Sequence, residues 1–118
     1  MNAQDMKKRT RAFALAVIRL VEGLPRTKEA DVIGRQLFRS GTSVGADYRA
    51  SCRARSQADL VAKMGIVEEE ADESIYWMEL SVEAGLIHSN AVVELLDEAN
   101  QITAIVVSSI KTARGGTR

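Results

Sequence analysis

Between Leu60 and Val82 the apolar residues Leu60, Met64, Val67, Ala71, Ile75, Met78 and Val82 recur at steps of three and four, which sets them on one side of an α-helix. The opposite side carries Ile66, Tyr76, Trp77 and Leu80 among the carboxylates of Glu69 and Glu73. A helix that only closes the core of a single protomer has one apolar stripe and a polar back. Clustered large apolar side chains on the back, including the only tryptophan of the chain, mark a surface made to be covered. The expectation is a helix shared between its own bundle and a second subunit, with Ile66, Trp77 and Leu80 anchoring the contact.

Three more helices follow from the same periodicity. Helix one is predicted over about Asp5 to Glu22, with Met6, Phe13, Val17 and Leu20 inward. Gly23-Leu24-Pro25 stops it: the glycine can take a left-handed turn, the leucine folds back, and proline forbids continuation. Helix two begins near Thr27 or Asp31 and runs to about Cys52, burying Ile33, Leu37, Val44 and Tyr48. Ser56-Gln-Ala-Asp59 reads as a capping box that opens helix three, and Gly85-Leu86 repeats the Gly-then-apolar stop. Ser89 or Asn90 caps helix four, whose stripe is Val92, Leu95, Leu96, Ala99, Ile102, Val106 and Ile110. Short connections between four long helices predict an all-α, antiparallel up-and-down four-helix bundle. Residues 1–114 form its single domain and 115–118 a disordered tail.

Composition narrows the function classes. A chain of 118 residues can bury a core without metal or disulfide. Cys52 is the only cysteine, read as a small, semi-buried helix residue, and His88 is the only histidine. They cannot together make a zinc site, and a di-iron bundle needs Glu-x-x-His pairs that are not present. Ser, Thr and Cys lack a histidine base at a credible position. The expectation is a protein that is not an enzyme, with no catalytic residue, no metal and no cofactor. An apolar run long enough to span a bilayer and a signal-peptide pattern are both missing, so the expected location is cytoplasmic, with no membrane partner.

Net charge is zero, but its distribution is lopsided. Residues 1–63 hold 13 Lys/Arg against 6 Asp/Glu and residues 64–118 hold 3 against 10, so the halves carry +7 and −7. Arg35, Arg39, Arg49 and Arg53 fall within roughly 40° of one line on helix two. Three readings stand side by side: a solvated face, a contact to nucleic-acid phosphates, or an ion-pairing surface for Glu69 and Glu73 of another subunit. Lys7, Lys8, Arg9 and Arg11 wrap around the start of helix one and add a basic rim. The segment Arg39-Ser-Gly-Thr-Ser-Val-Gly-Ala-Asp47 is poor in helix formers. Its spacing does not fit a phosphate-binding loop, and it is read as packing: Gly41 and Gly45 admit a neighbouring helix, and Thr42 and Ser43 bond back to the preceding turn.

The segments Gln36-Leu-Phe-Arg39-Ser-Gly-Thr-Ser43-Val-Gly-Ala46-Asp-Tyr-Arg, Asp59-Leu-Val-Ala-Lys63-Met-Gly-Ile-Val-Glu68-Glu-Glu70-Ala-Asp-Glu73 and Tyr76-Trp-Met-Glu-Leu80 resemble those of the bacterial four-helix bundle proteins, the 23S rRNA intervening sequence protein family. The resemblance covers nearly the whole chain. It implies an up-and-down bundle that assembles into a ring-like homopentamer, in a family whose members mostly have no established activity. Related barrel-shaped bundles act as accessory factors of retroelements through a basic surface that engages a reverse transcriptase and nucleic acid; the zero net charge departs from that pattern. Gly41 and Asp47 stand where the family pattern has Ala-like and Asn-like residues. The leading expectation is therefore a non-enzymatic homo-oligomeric scaffold, pentameric, and the alternative is an RNA-binding accessory factor acting with rRNA or a reverse transcriptase.

Overall fold

The computed structural model describes residues 1–115 and contains four α-helices in up-and-down order: α1 (Ala3–Glu22), α2 (Lys28–Ser51), α3 (Gln57–Glu83) and α4 (Val93–Ala113), with one 3-10 turn, Ser89–Ala91, before α4. Each helix packs along its sequence neighbour, and α1 closes on α4 through a narrower seam. The protein is an all-α bundle. The expected tail lies, past Gly115, outside the described residues.

The helix starts are chemically explicit. The side chains of Asn2, Thr27 and Ser56 accept the backbone N–H three residues on, at Asp5, Ala30 and Asp59, so one orphan donor of each first turn is paired. Asp59 does not complete the capping box. Its carboxylate accepts instead from the N–H of Arg55, the residue before the cap, at 3.1 Å, and holds Lys63 Nζ at 2.7 Å.

The stops differ from each other. Gly85 adopts φ +75°, and the N–H of Leu86 reaches the carbonyl of Ser81 at 2.9 Å, the expected left-handed termination. Gly23 stays right-handed at φ −84°, a correction to the expectation for that stop. There Leu24 N–H bonds to Val21 O, and Pro25 ends the helix without a left-handed residue. Helix α4 also begins later than expected. Ser89 and Asn90 are spent in the 3-10 turn, where His88 Nδ1 accepts from Asn90 N–H, and Val92 stands at the N-cap with no side-chain cap. Burial of Val92 in the core sets that start instead. Cys52, expected half-buried, is exposed at the end of α2.

The core holds Met6, Phe13 and Val17 from α1, Leu37, Val44 and Tyr48 from α2, Met64, Val67, Ala71 and Met78 from α3, and Val92, Ala99, Ile102, Val106 and Ile110 from the α4 side. Leu20, Leu60, Ile75, Val82, Leu95 and Leu96 are only partly buried around it. Small polar residues occupy places that apolar periodicity passes over: Thr10, Ser40, Ser51, Ser74 and Ser81 are buried. Each bonds back to a carbonyl of its own helix, and Ser74 also meets Ser40 at 3.1 Å across the α2–α3 contact. Buried hydroxyls satisfied in this way let the helices approach closely at little polar cost.

The α1–α2 contact is closer still. A Cβ on Gly41 would sit 2.7 Å from Val17 Cγ1, and one on Gly45 would sit 3.2 Å from Thr10 Oγ1. The glycines are there because α1 occupies the space a side chain would need. Thr42 Oγ1 and Ser43 Oγ donate to the carbonyls of Phe38 and Arg39, at 2.7 and 2.6 Å. The unfavourable helix composition of this segment is thus explained by packing, as expected.

Candidate functional site

The face opposite the buried stripe of α3 is built from residues four apart or adjacent around the helix. Ile66 is 46% exposed and Tyr76 55% exposed, while Trp77 and Leu80 are half-buried, with Trp77 packed on the edge of the core. The rings of Tyr76 and Trp77 meet edge to face with centroids 4.9 Å apart. Glu69 is exposed beside them. The indole at position 77 is therefore neither sequestered in the protomer nor free of it. One edge packs inward, and its N–H donates to Glu73 Oε2 at 3.1 Å.

Glu73 has a second donor, Arg39, which also reaches Glu70 at 3.3 Å. Of the four arginines in the stripe, Arg39 is thus tied to α3 of its own chain; an ion pair with Glu69 and Glu73 of another subunit was one of the three readings of that stripe. The indole N–H, and after it the guanidinium, hold the Glu73 carboxyl below the usual range. The bond to Glu73 raises Arg39 further. For Glu70 burial outweighs the attraction of Arg39 and its carboxyl is pushed up. Along one edge of the apolar patch the aromatic ring, the carboxylate and the guanidinium form a hydrogen-bonded chain from α3 to α2.

The other arginines separate. Arg35 pairs with Asp31 one turn earlier, at 2.8 Å and largely in solvent. Arg53 is exposed in the turn that follows α2, past the helix end at Ser51, and so does not continue the helical stripe. Arg49 joins Lys7, Lys8 and Arg11 around a groove of about 450 Å³ between α1 and α2. Periodicity within one helix could not associate these four; what associates them is the antiparallel turn, which lays the start of α1 beside the end of α2. Arg9, part of the same basic run in sequence, points away and clamps Glu98 on α4, Nε to Oε2 at 2.6 Å and Nη2 to Oε1 at 2.8 Å.

Large apolar side chains besides those foreseen on α3 are also exposed, among them Leu15 on α1 and Val32 and Phe38 on α2. Among the described residues no group of three or more His, Cys, Asp and Glu is placed to hold a metal ion, and no helix is long and apolar enough to cross a membrane.

The family model for the 23S rRNA-intervening sequence protein matches residues 2–108. Among solved structures the chain is similar to a protein of unknown function from the S23 ribosomal protein family of Bacteroides thetaiotaomicron VPI-5482. The two are 31% identical, the match covers 89% of this chain and 97% of that one, and the TM-score is 0.83. Among curated proteins nothing matches. With the family model spanning all but the first residue and the C-terminal end, and the same fold in that relative, the chain belongs to the 23S rRNA-intervening sequence protein family.

Proposed function

We propose that the protein is a non-enzymatic, self-assembling scaffold in which the outer face of α3 is the subunit contact, and that the assembly is a ring of five. The observation that carries this reading is the exposure of Ile66 and Tyr76 on a helix already buried along its other side. Removing apolar side chains from water supplies affinity at about 25 cal/mol per Å² before the costs of association, and aromatic anchors supply much of it. Trp77 continues the patch toward the core and half-buried Leu80 lies beside it, so a partner would find apolar surface between Ile66 and Tyr76 as well. Glu73 is held by Arg39 and shapes the rim, while exposed Glu69 is left to meet a cation of the next copy. The +7 and −7 halves of the chain support head-to-tail contacts of unlike faces, which close into rings.

Light scattering coupled to size exclusion tests the proposal. The expected mass at micromolar concentration is five times that of the chain, and the double substitution Ile66→Glu with Tyr76→Glu reduces it to one, with helicity by circular dichroism unchanged. A wild-type protein that stays monomeric removes the proposal.

A further inference from the structure

An exposed apolar face needs a surface to meet, and the charges around it restrict where that surface lies. On α3 every exposed charged side chain is a carboxylate: Glu69, Asp72, Glu79 and Glu83 accompany exposed Ile66 and Tyr76. Two copies of this face laid against each other would bring carboxylate to carboxylate, and like charges juxtaposed across a contact repel. The contact that the charges favour is therefore between unlike faces of the chain.

Outside α3 the exposed large apolar side chains are Met1, Leu15, Val32, Phe38 and Val93. Met1 is terminal. Val93 stands alone, since the exposed positions that follow it on α4, from Glu94 to Ser108, are polar or alanine. Val32 points about 120° away from Phe38 around α2. Leu15 and Phe38, by contrast, share a face. With Gly41 set against Val17 and Gly45 against Thr10, the antiparallel pairing brings Leu15 of α1 level with the turn from Phe38 to Thr42 on α2. Half-buried Ala14 and Thr42 line the hollow between the two helices.

The flanks of this face are basic. Arg11 and Arg49 line that hollow, Lys8 the groove beside Leu15, and Arg35 the cleft that holds Phe38. The carboxylates lining the three are Glu22 and Asp31, and Asp31 is held by Arg35. An apolar centre with cationic flanks complements an apolar centre with acidic ones. The shapes agree as well, because a seam between two helices accepts a third. From Ala62 to Glu83, α3 is about 30 Å long, and laid along a seam whose axes are about 8–10 Å apart it covers on the order of 600 Å² of each copy, near the roughly 800 Å² per partner of a stable complex.

We propose that the α1–α2 face centred on Leu15 and Phe38, with Arg11 and Arg49 on its flank, receives the outer face of α3 from the next copy of the chain. The inference rests on α3 being a subunit contact and adds the surface that it meets. Because α2 packs on both α1 and α3, the two faces are inclined to each other rather than opposed, and the repeated contact curves toward closure.

Two variants, each blocked on one face, test this by mixing. Ile66→Glu with Tyr76→Glu disables the α3 face and Leu15→Glu with Phe38→Glu the α1–α2 face; all four side chains are exposed, and circular dichroism checks that helicity is kept. By size exclusion with light scattering, each variant alone is expected as a single chain. Their equimolar mixture is expected as a pair of chains, because one intact face of each kind remains and the two meet only once. Arg11→Glu with Arg49→Glu leaves the apolar centre untouched and is expected to weaken assembly by about tenfold or more in a dilution series, and it decides the matter if the Leu15–Phe38 variant loses helicity. The proposal is overturned, with α3 still a subunit contact, if the folded Leu15–Phe38 variant keeps the wild-type mass, if the mixture stays as single chains, or if the arginine variant assembles as tightly as wild type. Wild-type mass in the Ile66–Tyr76 variant overturns the α3 contact itself, and this proposal with it.

Discussion

Asp47 is half-buried on α2, and burial pushes its carboxyl above the ordinary 3.8. It also adds to the raising of Glu70, whose largest cause is its own burial. The unfolded chain therefore releases the Asp47 proton at lower pH than the folded one. Stability falls as pH rises from 3.8 through the raised folded value, and it stays reduced at neutral pH. Asp47→Asn is expected to raise the thermal midpoint at pH 7, with the difference from wild type closing below pH 3.8; paired melts by circular dichroism at the two pH values measure it, and a lower midpoint for the variant at pH 7 would refute the argument. Glu73 works in the opposite sense. With its carboxyl lowered by the Trp77 indole and then by Arg39, its contribution is present above the ordinary 4.5 and is lost as pH falls through the lowered value. Burial and partnership are tertiary properties, so nothing in the run of six residues from Glu68 to Glu73 distinguishes Glu70 from Glu73 in advance.

Between elements, glycines with the same helical backbone act in opposite ways. Gly41→Ala would drive a methyl to 2.7 Å from Val17, a fully buried β-branched side chain with little freedom to turn aside. Overpacking of this kind costs about 1–3 kcal/mol, against about 1 kcal/mol gained from helix propensity, so a net loss of about 1 kcal/mol is expected. Gly65 on α3 has nothing within 4 Å of an added Cβ, and Gly65→Ala is expected to gain about 0.5–1 kcal/mol. Urea unfolding of the two variants checks the pair, and a gain from both would mean that α1 yields at Val17. That glycines mark a close approach was legible in the segment from Arg39 to Asp47; that Val17 and Thr10 are what approaches was not. The start and stop signals were more legible, because caps act within a turn. Thr27, Ser56 and Gly85 do what local chemistry predicts, and Gly23 departs because the chain after α1 leaves through Pro25 without a left-handed residue.

For the molecule as a whole, the question is how the first and last helices close on each other. Their seam is narrow, and the two-point grip of Arg9 on Glu98, partly shielded from solvent, spans it. A lysine cannot reproduce that fork, so Arg9→Lys is expected to lower stability by about 1–2 kcal/mol, read from chemical unfolding, without shifting the oligomeric mass. A loss equal to that of Arg9→Ala would show that the planar fork matters more than the charge. The same bond, with the grip of Arg39 on Glu70 and Glu73, shows how part of the +7 and −7 imbalance is compensated inside one protomer.

The amino-acid sequence by itself determined that there are four helices, roughly where three of them begin, which stripe of each is buried, and that α3 has apolar side chains on both sides. These depend on 3.6-residue periodicity and on caps, both of which act within one helix. Only the tertiary structure decided that Arg39 belongs to Glu70 and Glu73 of its own chain, that Arg9 leaves the basic cluster for Glu98, and that Arg49 joins Lys7, Lys8 and Arg11. Which side chains meet across a seam depends on the rotation and sliding of one helix against another. Those are set by how shapes such as Gly41 and Val17 fit together, and no single helix records that fit.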